Sequence, residues 1–481
     1  EKAMNTELYH LTEAAKRVGV SPITLKRWLL DGKVYDVKRD RKGWRVFTNA
    51  DVIRIREYAE RLTPPQQQGM LFKQHDVLGK NNKSANFRDS AFNGNKDLPF
   101  HRWVPWIAGF SANFVEDCFK NYLNSRLSHS GTTILDPFAG VGTTLTEGIM
   151  HGYNVVGFEI NPYAYLACRI KLNAHKLDIG QIRKELARFL KYYQKRVNDP
   201  TYLVRSKEPK GFGTRVPFYS PKVQRKVLIF HDFLPNIKNL EIRDLFKLAF
   251  GTVMVSFSNY SYEPSLGRKA SSGRPDVLDA EIQDVIADKI RLMVSDIEEF
   301  DELHSETAQK LDTKIFNESF FNAMDFCKPG SIDLLVTSPP YLNNYHYMRN
   351  TRPQMYWLNL KSSREERKAI EVSSFGKFWQ TVRDQPRIDP IFKLERLDSK
   401  LETLRQISPE KRTYGGAGWA NYAATYFNDA YRFCKILSRI LKPRGKAVVV
   451  LGNSILQGVE IDTDEIFGEI GEMAGLRKDE I

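Results

Sequence analysis

Residues 132–159 constrain the fold more than any other part of this 481-residue chain. Thr132-Thr133-Ile134-Leu135-Asp136 reads as a short buried strand, Pro137-Phe138-Ala139-Gly140-Val141-Gly142 as a tight loop, and the run from Thr143 as a helix. A second strand, Asn154-Val155-Val156-Gly157-Phe158, ends at Glu159. Strand, glycine turn, helix and strand in that order make a parallel unit, because a crossover helix brings the chain back to the sheet in the same direction. From about Pro99 onward, apolar strand-like runs alternate with helix-like stretches, the pattern of an α/β domain with a mainly parallel sheet. Strand patterning returns at 332–337, and again at 446–451 after the turn Lys442-Pro443-Arg444-Gly445. Residues 174–310 read as mostly helical and polar, an insertion on that core.

The loop also suggests a ligand. Glycines at 140 and 142 let the backbone approach a bound group that a Cβ would push away. The helix from Thr143 points its positive end into the same crevice. A carboxylate at the end of the second strand, Glu159, can accept both hydroxyl protons of a ribose. Dinucleotide binding is the obvious competitor, but Leu145 stands where the third glycine of G-x-G-x-x-G belongs. No G-K-[ST] follows the loop either, so a phosphate-binding P-loop is not supported.

A second string carries reaction chemistry. Asp333-Leu334-Leu335-Val336-Thr337 reads as a buried strand that runs straight into Ser338-Pro339-Pro340-Tyr341. The two prolines stiffen the loop and remove two backbone donors, which leaves carbonyls as acceptors. An amino group conjugated to a base ring is a poor nucleophile because its lone pair is delocalised. Accepting its hydrogens on Ser338 and a backbone carbonyl pulls the nitrogen toward tetrahedral geometry and frees that lone pair. Positioning and electrostatics then carry the catalysis. Tyr341 offers a flat face on which a flipped-out base can stack.

Together, Asp136-Pro-Phe-Ala-Gly-Val-Gly-Thr-Thr144, Gly157-Phe-Glu-Ile-Asn-Pro162 and Thr337-Ser-Pro-Pro-Tyr341 resemble the motifs of the amino-group DNA methyltransferases, which modify N4 of cytosine or N6 of adenine. The resemblance implies a Rossmann-like class I fold with S-adenosylmethionine as cofactor. It implies cofactor contacts from Asp136, Pro137, Phe138, Ala139, Gly140, Gly142, Thr143, Glu159, Ile160 and Asn161, with Asp136 near the methionine part and Glu159 on the ribose. His101-Arg102-Trp103-Val104-Pro105-Trp106 and Gly109-Phe110-Ser111 resemble the family segment that closes over the cofactor, with Phe110 and Ser111 as contacts. The catalytic residues implied are Ser338, Pro339, Pro340 and Tyr341. The Thr-Ser-Pro-Pro-Tyr form is associated with N4-cytosine enzymes, and Asp-Pro-Pro-Tyr is commoner for N6-adenine. Carbon-5 cytosine chemistry needs a cysteine nucleophile, usually within Pro-Cys, and no Pro-Cys occurs here.

There are departures. The acid expected near the adenine is not plain in Glu318-Ser319-Phe320-Phe321-Asn322. Sheets of this class usually finish with another strand pair, so a chain continuing past Ile481 is expected. The long insertion prevents placing the target-reading segment by analogy. Ser258-Asn259-Tyr260 and Pro264-Ser265-Leu266-Gly267-Arg268-Lys269 are polar, aromatic and basic, suited either to a DNA backbone or to a solvated loop. Gly452-Asn453-Ser454 is a candidate border of the site.

The chain opens with a different unit. Ala14, Ala15, Val18, Val20, Leu25 and Trp28 give an apolar face to two short helices joined at Gly19, with Ser21 and Pro22 starting the second. Thr24, Lys26 and Arg27 are left to face outward, as the second helix of a helix-turn-helix does toward the major groove. Lys38-Arg39-Asp40-Arg41-Lys42-Gly43-Trp44-Arg45 is a basic hairpin-like segment, in which Arg39, Arg41, Lys42 and Arg45 suit phosphate contacts. The run Leu11–Trp28 with Gly43-Trp44-Arg45-Val46-Phe47 resembles the winged helix-turn-helix domains of MerR-type regulators. The expected order is a helix-turn-helix domain at 1–62, a Gln-, Asn- and Gly-rich linker at 63–98, and a methyltransferase domain at 99–481.

Charge agrees with this reading without deciding it. Lys and Arg outnumber Asp and Glu by 72 to 58, a formal charge of +14, which favours a polyanionic partner. Double-stranded DNA is the expected partner, and a restriction endonuclease or other defence protein is a candidate second one. Four scattered cysteines without C-x-x-C spacing argue against structural zinc and disulfides and fit a reducing cytoplasm. There is no signal peptide and no apolar run of 18 residues. A prokaryotic, nucleoid-associated enzyme is therefore expected. Two other readings stay open: an N6-adenine or RNA-base methyltransferase, and a DNA-binding regulator whose core only senses S-adenosylmethionine.

Overall fold

A computed structural model describes residues 8–20, 22, 25, 28–29, 34, 37–38, 40, 45–60, 92–106, 109–123, 131–262, 266–343, 347–360 and 363–479. The chain divides into two units, residues 1–77 with 272–274, and residues 78–271 with 275–481. In the smaller unit, β1 (Leu8–His10) pairs antiparallel with β2 (Val46–Thr48), with Tyr9 opposite Phe47. The helix Leu11–Val18 stops at Gly19, whose φ of 85° turns the chain while its N–H caps the Ala15 carbonyl. Pro22, Leu25, Trp28 and Leu29 are helical, and a further helix spans Asn49–Glu60. Ala14, Ala15, Leu25, Phe47 and Ile55 are wholly buried together. Thr24, Lys26, Arg27, Arg39, Arg41 and Lys42 lie outside the described residues, and Arg45 sits in a single-residue bridge just before β2.

The larger unit is built on continuous apolar strands. β3 (Thr133–Asp136) and β4 (Asn154–Phe158) precede the insertion, which carries a small antiparallel hairpin, β5 (Tyr260–Tyr262) with β6 (Leu266–Arg268). Then come β7 (Thr313–Phe316), β8 (Ile332–Thr337), β9 (Leu441–Val449) and the hairpin β10 (Ser454–Leu456) with β11 (Val459–Ile461). β7, β4, β3, β8 and β9 lie side by side in that order, and each pair is parallel. Ile134, Leu135, Val155, Leu334, Leu335 and Val336 show no exposed surface, as strands covered on both faces require. The direction of winding reverses between β3 and β8. In a doubly wound sheet that reversal opens a crevice at the carboxyl ends of the strands, where ligands bind.

Two details depart from the reading of the sequence, and a third explains it. β9 begins at Leu441, five residues earlier than expected: Leu441 faces Ile332, Lys446 faces Leu334, and the intervening residues bulge out of register with Arg444 at φ 67°. Residues 92–98, placed in the linker, belong to the larger unit. Asn95 is fully buried, its side chain donating to the Phe110 carbonyl (3.1 Å) and accepting from the Ala112 N–H (2.9 Å). Leu145, where a dinucleotide fold has its third glycine, is accommodated by Gly157 on β4: a Cβ there would collide with the Leu145 side chain. Helix and strand still approach closely, with the glycine on the other partner.

Residues 174–310 are chiefly helices, at Ile179–Val197, Pro221–Phe233, Leu240–Val253 and Ile282–Ala308. Their polarity covers an apolar interior in which Phe189, Phe230 and Phe246 are wholly buried. The insertion also reaches the core. Buried Asp296 accepts from the Phe100 N–H (2.9 Å) and the Trp103 indole N–H (2.8 Å), and it pairs with Arg102. No described helix is long and apolar enough to cross a membrane.

Candidate active site

Asp136 ends β3 and Thr337 ends β8, on the two strands that flank the reversal. The Thr337 hydroxyl donates to Asp136 Oδ1 at 2.6 Å, and the Phe138 N–H donates to the same oxygen at 3.1 Å. Asp136 is almost fully buried, and desolvation pushes its carboxyl up to about 6 despite these donors. The turn that follows is held from beneath by Lys171, whose buried ammonium donates to the Val141 carbonyl at 2.9 Å. Burial lowers that lysine to about 7.

Glu159 faces the same loop. Its Oε2 accepts the Gly140 N–H and its Oε1 accepts the Asn161 N–H, both at 2.7 Å. These bonds fix the carboxylate at the cleft wall and leave lone pairs on both oxygens. Desolvation raises its carboxyl to about 7, and the neighbouring Asp136 charge adds to the rise. Two acids raised in one cleft form an electrostatic environment that a positively charged ligand would relieve.

The cleft encloses about 1230 Å³, counting solvent at its mouth. The turn after β3, the residues after β4 and the turn after β8 all open into it, through Asp136, Glu159, Ser338 and Tyr341 among others. Ser338 Oγ lies 3.0 Å from Tyr341 Oη, with the serine donating. Beyond Tyr341, Gly452 stands close enough that an added Cβ would lie 3.8 Å from the tyrosine ring. Asn453 turns away instead, its amide meeting Asp464 at the start of the helix Thr463–Met473.

Of the residues singled out from the sequence, Phe110, Asp136, Pro137, Phe138, Ala139, Gly140, Thr143, Glu159, Ile160, Asn161, Ser338, Pro340 and Tyr341 line this one cleft. Ser111, Gly142 and Pro339 do not. The Ser111 hydroxyl caps the helix Ala112–Tyr122 by accepting from the Phe114 N–H at 3.1 Å. Gly142, at φ 86°, packs on Cys168, whose sulfur would lie 2.7 Å from a Cβ; close packing and the turn require this glycine, not a ligand. Gly140 is in a similar position, with the Trp106 indole 3.2 Å from its would-be Cβ. Asn161 lines the cleft, but its side chain caps the helix Pro162–Asn173 and donates to Thr351 at 2.9 Å. Ser258 and Asn259 are buried, with Asn259 bonded to the Pro217 carbonyl, so they form no outward DNA-facing loop.

The opposite wall has no counterpart in the sequence motifs. Phe320 and Phe321, in the stretch that lacked a plain acid, supply rings in place of a carboxylate. Phe375 meets Phe138 edge-on (5.3 Å between centroids) and Tyr426 likewise (5.1 Å). Gly376 (φ 74°) and Lys377 (φ 53°) take left-handed backbone beside it, and buried Asp429 accepts the Gly376 N–H at 3.0 Å and pairs with Lys377 at 3.4 Å. An aromatic enclosure facing one buried acid, Asp136, and one half-buried acid, Glu159, suits a ligand with a planar ring, a diol and a positive charge.

Comparisons with known proteins find two families along the chain. Residues 58–168 match the family described as DNA methylase, and residues 9–60 match the MerR HTH family of regulatory proteins. The chain is 24% identical over 422 residues to the type II methyltransferase M.AvaI of Nostoc sp., covering 81% of this chain and 82% of that protein. It is 22% identical to the type II methyltransferase M.BsoBI of Geobacillus stearothermophilus, covering 80% of each. It is 23% identical to the type II methyltransferase M.MvaI of Kocuria varians, covering 84% and 87%. No solved structure matches the chain.

Proposed function

From a chain that carries a DNA methylase segment and a MerR-type helix-turn-helix segment, and whose relatives are type II methyltransferases, we propose an S-adenosylmethionine-dependent enzyme that methylates N4 of cytosine in double-stranded DNA. The observation that carries this reading is the Ser338-Pro339-Pro340-Tyr341 turn opening into the same cleft as Asp136 and Glu159. Glu159 keeps lone pairs for a ribose diol, the ring wall suits an adenine, and the two raised acids favour a cation between them. S-adenosylmethionine supplies a methyl group on a positively charged sulfur.

The chain's own part is positioning. A target cytosine rotated out of the duplex stacks on Tyr341. The Ser338 hydroxyl proton is directed to Tyr341 Oη, so the lone pairs on Oγ are free to accept an amino hydrogen. A carbonyl of the proline pair accepts the second. Drawing both hydrogens into acceptors localises the nitrogen lone pair toward the methyl group, and preorganised acceptors need no rearrangement during the step. In this reading residues 1–62 add DNA affinity or site preference and the larger unit performs the chemistry, with a restriction endonuclease or other defence protein as a candidate partner.

The test is methyl transfer from labelled S-adenosylmethionine to duplex DNA by the full chain and by S338A and Y341F. Transfer lost in S338A with cofactor binding kept supports the assignment. Equal loss of transfer and cofactor binding would make the turn structural.

A further inference from the structure

Beyond the cleft wall, a ladder of rings runs outward to the surface. Tyr422 lines the cleft and meets Trp419 edge-on at 5.9 Å, one turn earlier on the helix Gly416–Ile440. Trp419 stacks on Trp379 at 5.1 Å and 20° between planes; Trp379 directly follows Phe378, another lining residue. Tyr414 completes the series, 5.9 Å from Trp379 and 61% exposed. The Arg383 guanidinium lies over both outer rings, 4.6 Å from Trp379 and 4.2 Å from Tyr414. Lys411 and Arg412 stand exposed just before Tyr414, and Arg412 holds a left-handed φ of 51°.

This surface is held in place before anything binds. The Asn421 amide donates to the Gln385 and Pro386 carbonyls at 3.1 and 3.2 Å. Asp384 ties the two sides together, accepting from Thr413 at 2.8 Å and pairing with Arg383 at 3.1 Å. The acids at hand, Asp384 and Glu410, are fewer than the cations Arg383, Lys411 and Arg412. Rigid rings with a cation over them and exposed cations beside them are the elements of a nucleic-acid stacking platform.

We propose that Tyr414, Arg383, Trp379 and Trp419 form a platform for the DNA strand that carries the target nucleotide. Tyr414 takes the flat face of a flanking base, and Lys411 and Arg412 take the phosphates on either side. The ladder connects the cleft at Tyr422 with this face, so a strand seated on it runs toward the cleft. This rests on the DNA-methylating reading above.

The experiment uses the full chain, with unmethylated duplex DNA of mixed sequence as the probe, and compares wild type with Y414A and with K411A/R412A. Expected for Y414A is a fall of about tenfold in kcat/KM for DNA, with affinity for S-adenosylmethionine and thermal midpoint unchanged. K411A/R412A is expected to flatten the dependence of DNA affinity on salt by about one unit of slope for each phosphate that is no longer neutralised. Variants that match wild type would overturn the platform. So would a parallel loss of cofactor affinity or folding, or a defect confined to an RNA probe. A wild-type chain that transfers nothing to DNA would instead overturn the reading on which the platform stands.

Discussion

The two walls of the cleft are made in different ways. One comes from strand ends: Asp136 at the end of β3, Glu159 after β4 and Ser338 after β8 each stand where a short turn leaves the sheet. The other is assembled from distant pieces: Phe320 and Phe321, the left-handed pair Gly376–Lys377 with Phe375, and Tyr422 and Tyr426 from a long helix. The first wall holds the carboxylates and the hydroxyl. The second holds mostly rings. Chemistry is concentrated where local sequence fixes geometry, and enclosure is supplied by tertiary packing.

The largest expected effect is on the first wall. S338A is expected to lower kcat at least about a hundredfold, with the affinity for S-adenosylmethionine held within about twofold in calorimetry. A change in affinity and not in kcat would erase the distinction between the walls. Glu159 is expected to move affinity instead: E159Q weakens cofactor binding by about tenfold or more. Desolvation raises its free carboxyl to about 7, and a diol donating to it beside a positively charged sulfur would favour the ionised form. Affinity of the wild type should therefore rise with pH up to about 7 and level off above, with Asp136, raised to about 6, adding to the fall at lower pH. In E159Q the bend near 7 should vanish from a calorimetric pH series.

The second wall should respond in stability. A Cβ at Gly376 would lie 2.7 Å from the Tyr426 ring, on backbone that disfavours any side chain. G376A is expected to destabilise by about 1–3 kcal/mol in urea unfolding and to weaken cofactor binding. Smaller still is D429N, which keeps the shape and removes a charge paired with Lys377. A loss of about 1 kcal/mol is expected, with kcat unchanged. If D429N lowered kcat as much as S338A, the second wall would be doing chemistry as well.

What is legible in the sequence follows the same line. β3, the glycine turn and β4 can be read because continuous apolar runs, left-handed glycines and a terminal acid are local signals. The reason for the glycines cannot: Gly142 is required by Cys168, and Gly140 by its φ of 52° with Trp106 close beside it, neighbours that only the folded chain brings together. Ser111 and Asn161 carry a second signal that the sequence does not separate, since a short polar side chain that suits a ligand also suits a helix cap. Lys171 carries no sequence signal, because a lysine two positions from Arg169 on a mostly apolar helix reads as solvated. Phe375 and Tyr426 are 51 positions apart and meet through a strained loop that no periodicity announces. The early start of β9 is hidden by Pro443 and Gly445, which mark a turn whether or not the strand resumes on the other side.

The turn at Ser338 is proposed to hold a cytosine amino nitrogen in place for methylation. The most direct test is incubation of the full chain with labelled S-adenosylmethionine and unmethylated duplex DNA, followed by nucleoside mass spectrometry. The account predicts label in N4-methylcytosine. Label in N6-methyladenine, or no transfer while the cofactor is measurably bound, would contradict it.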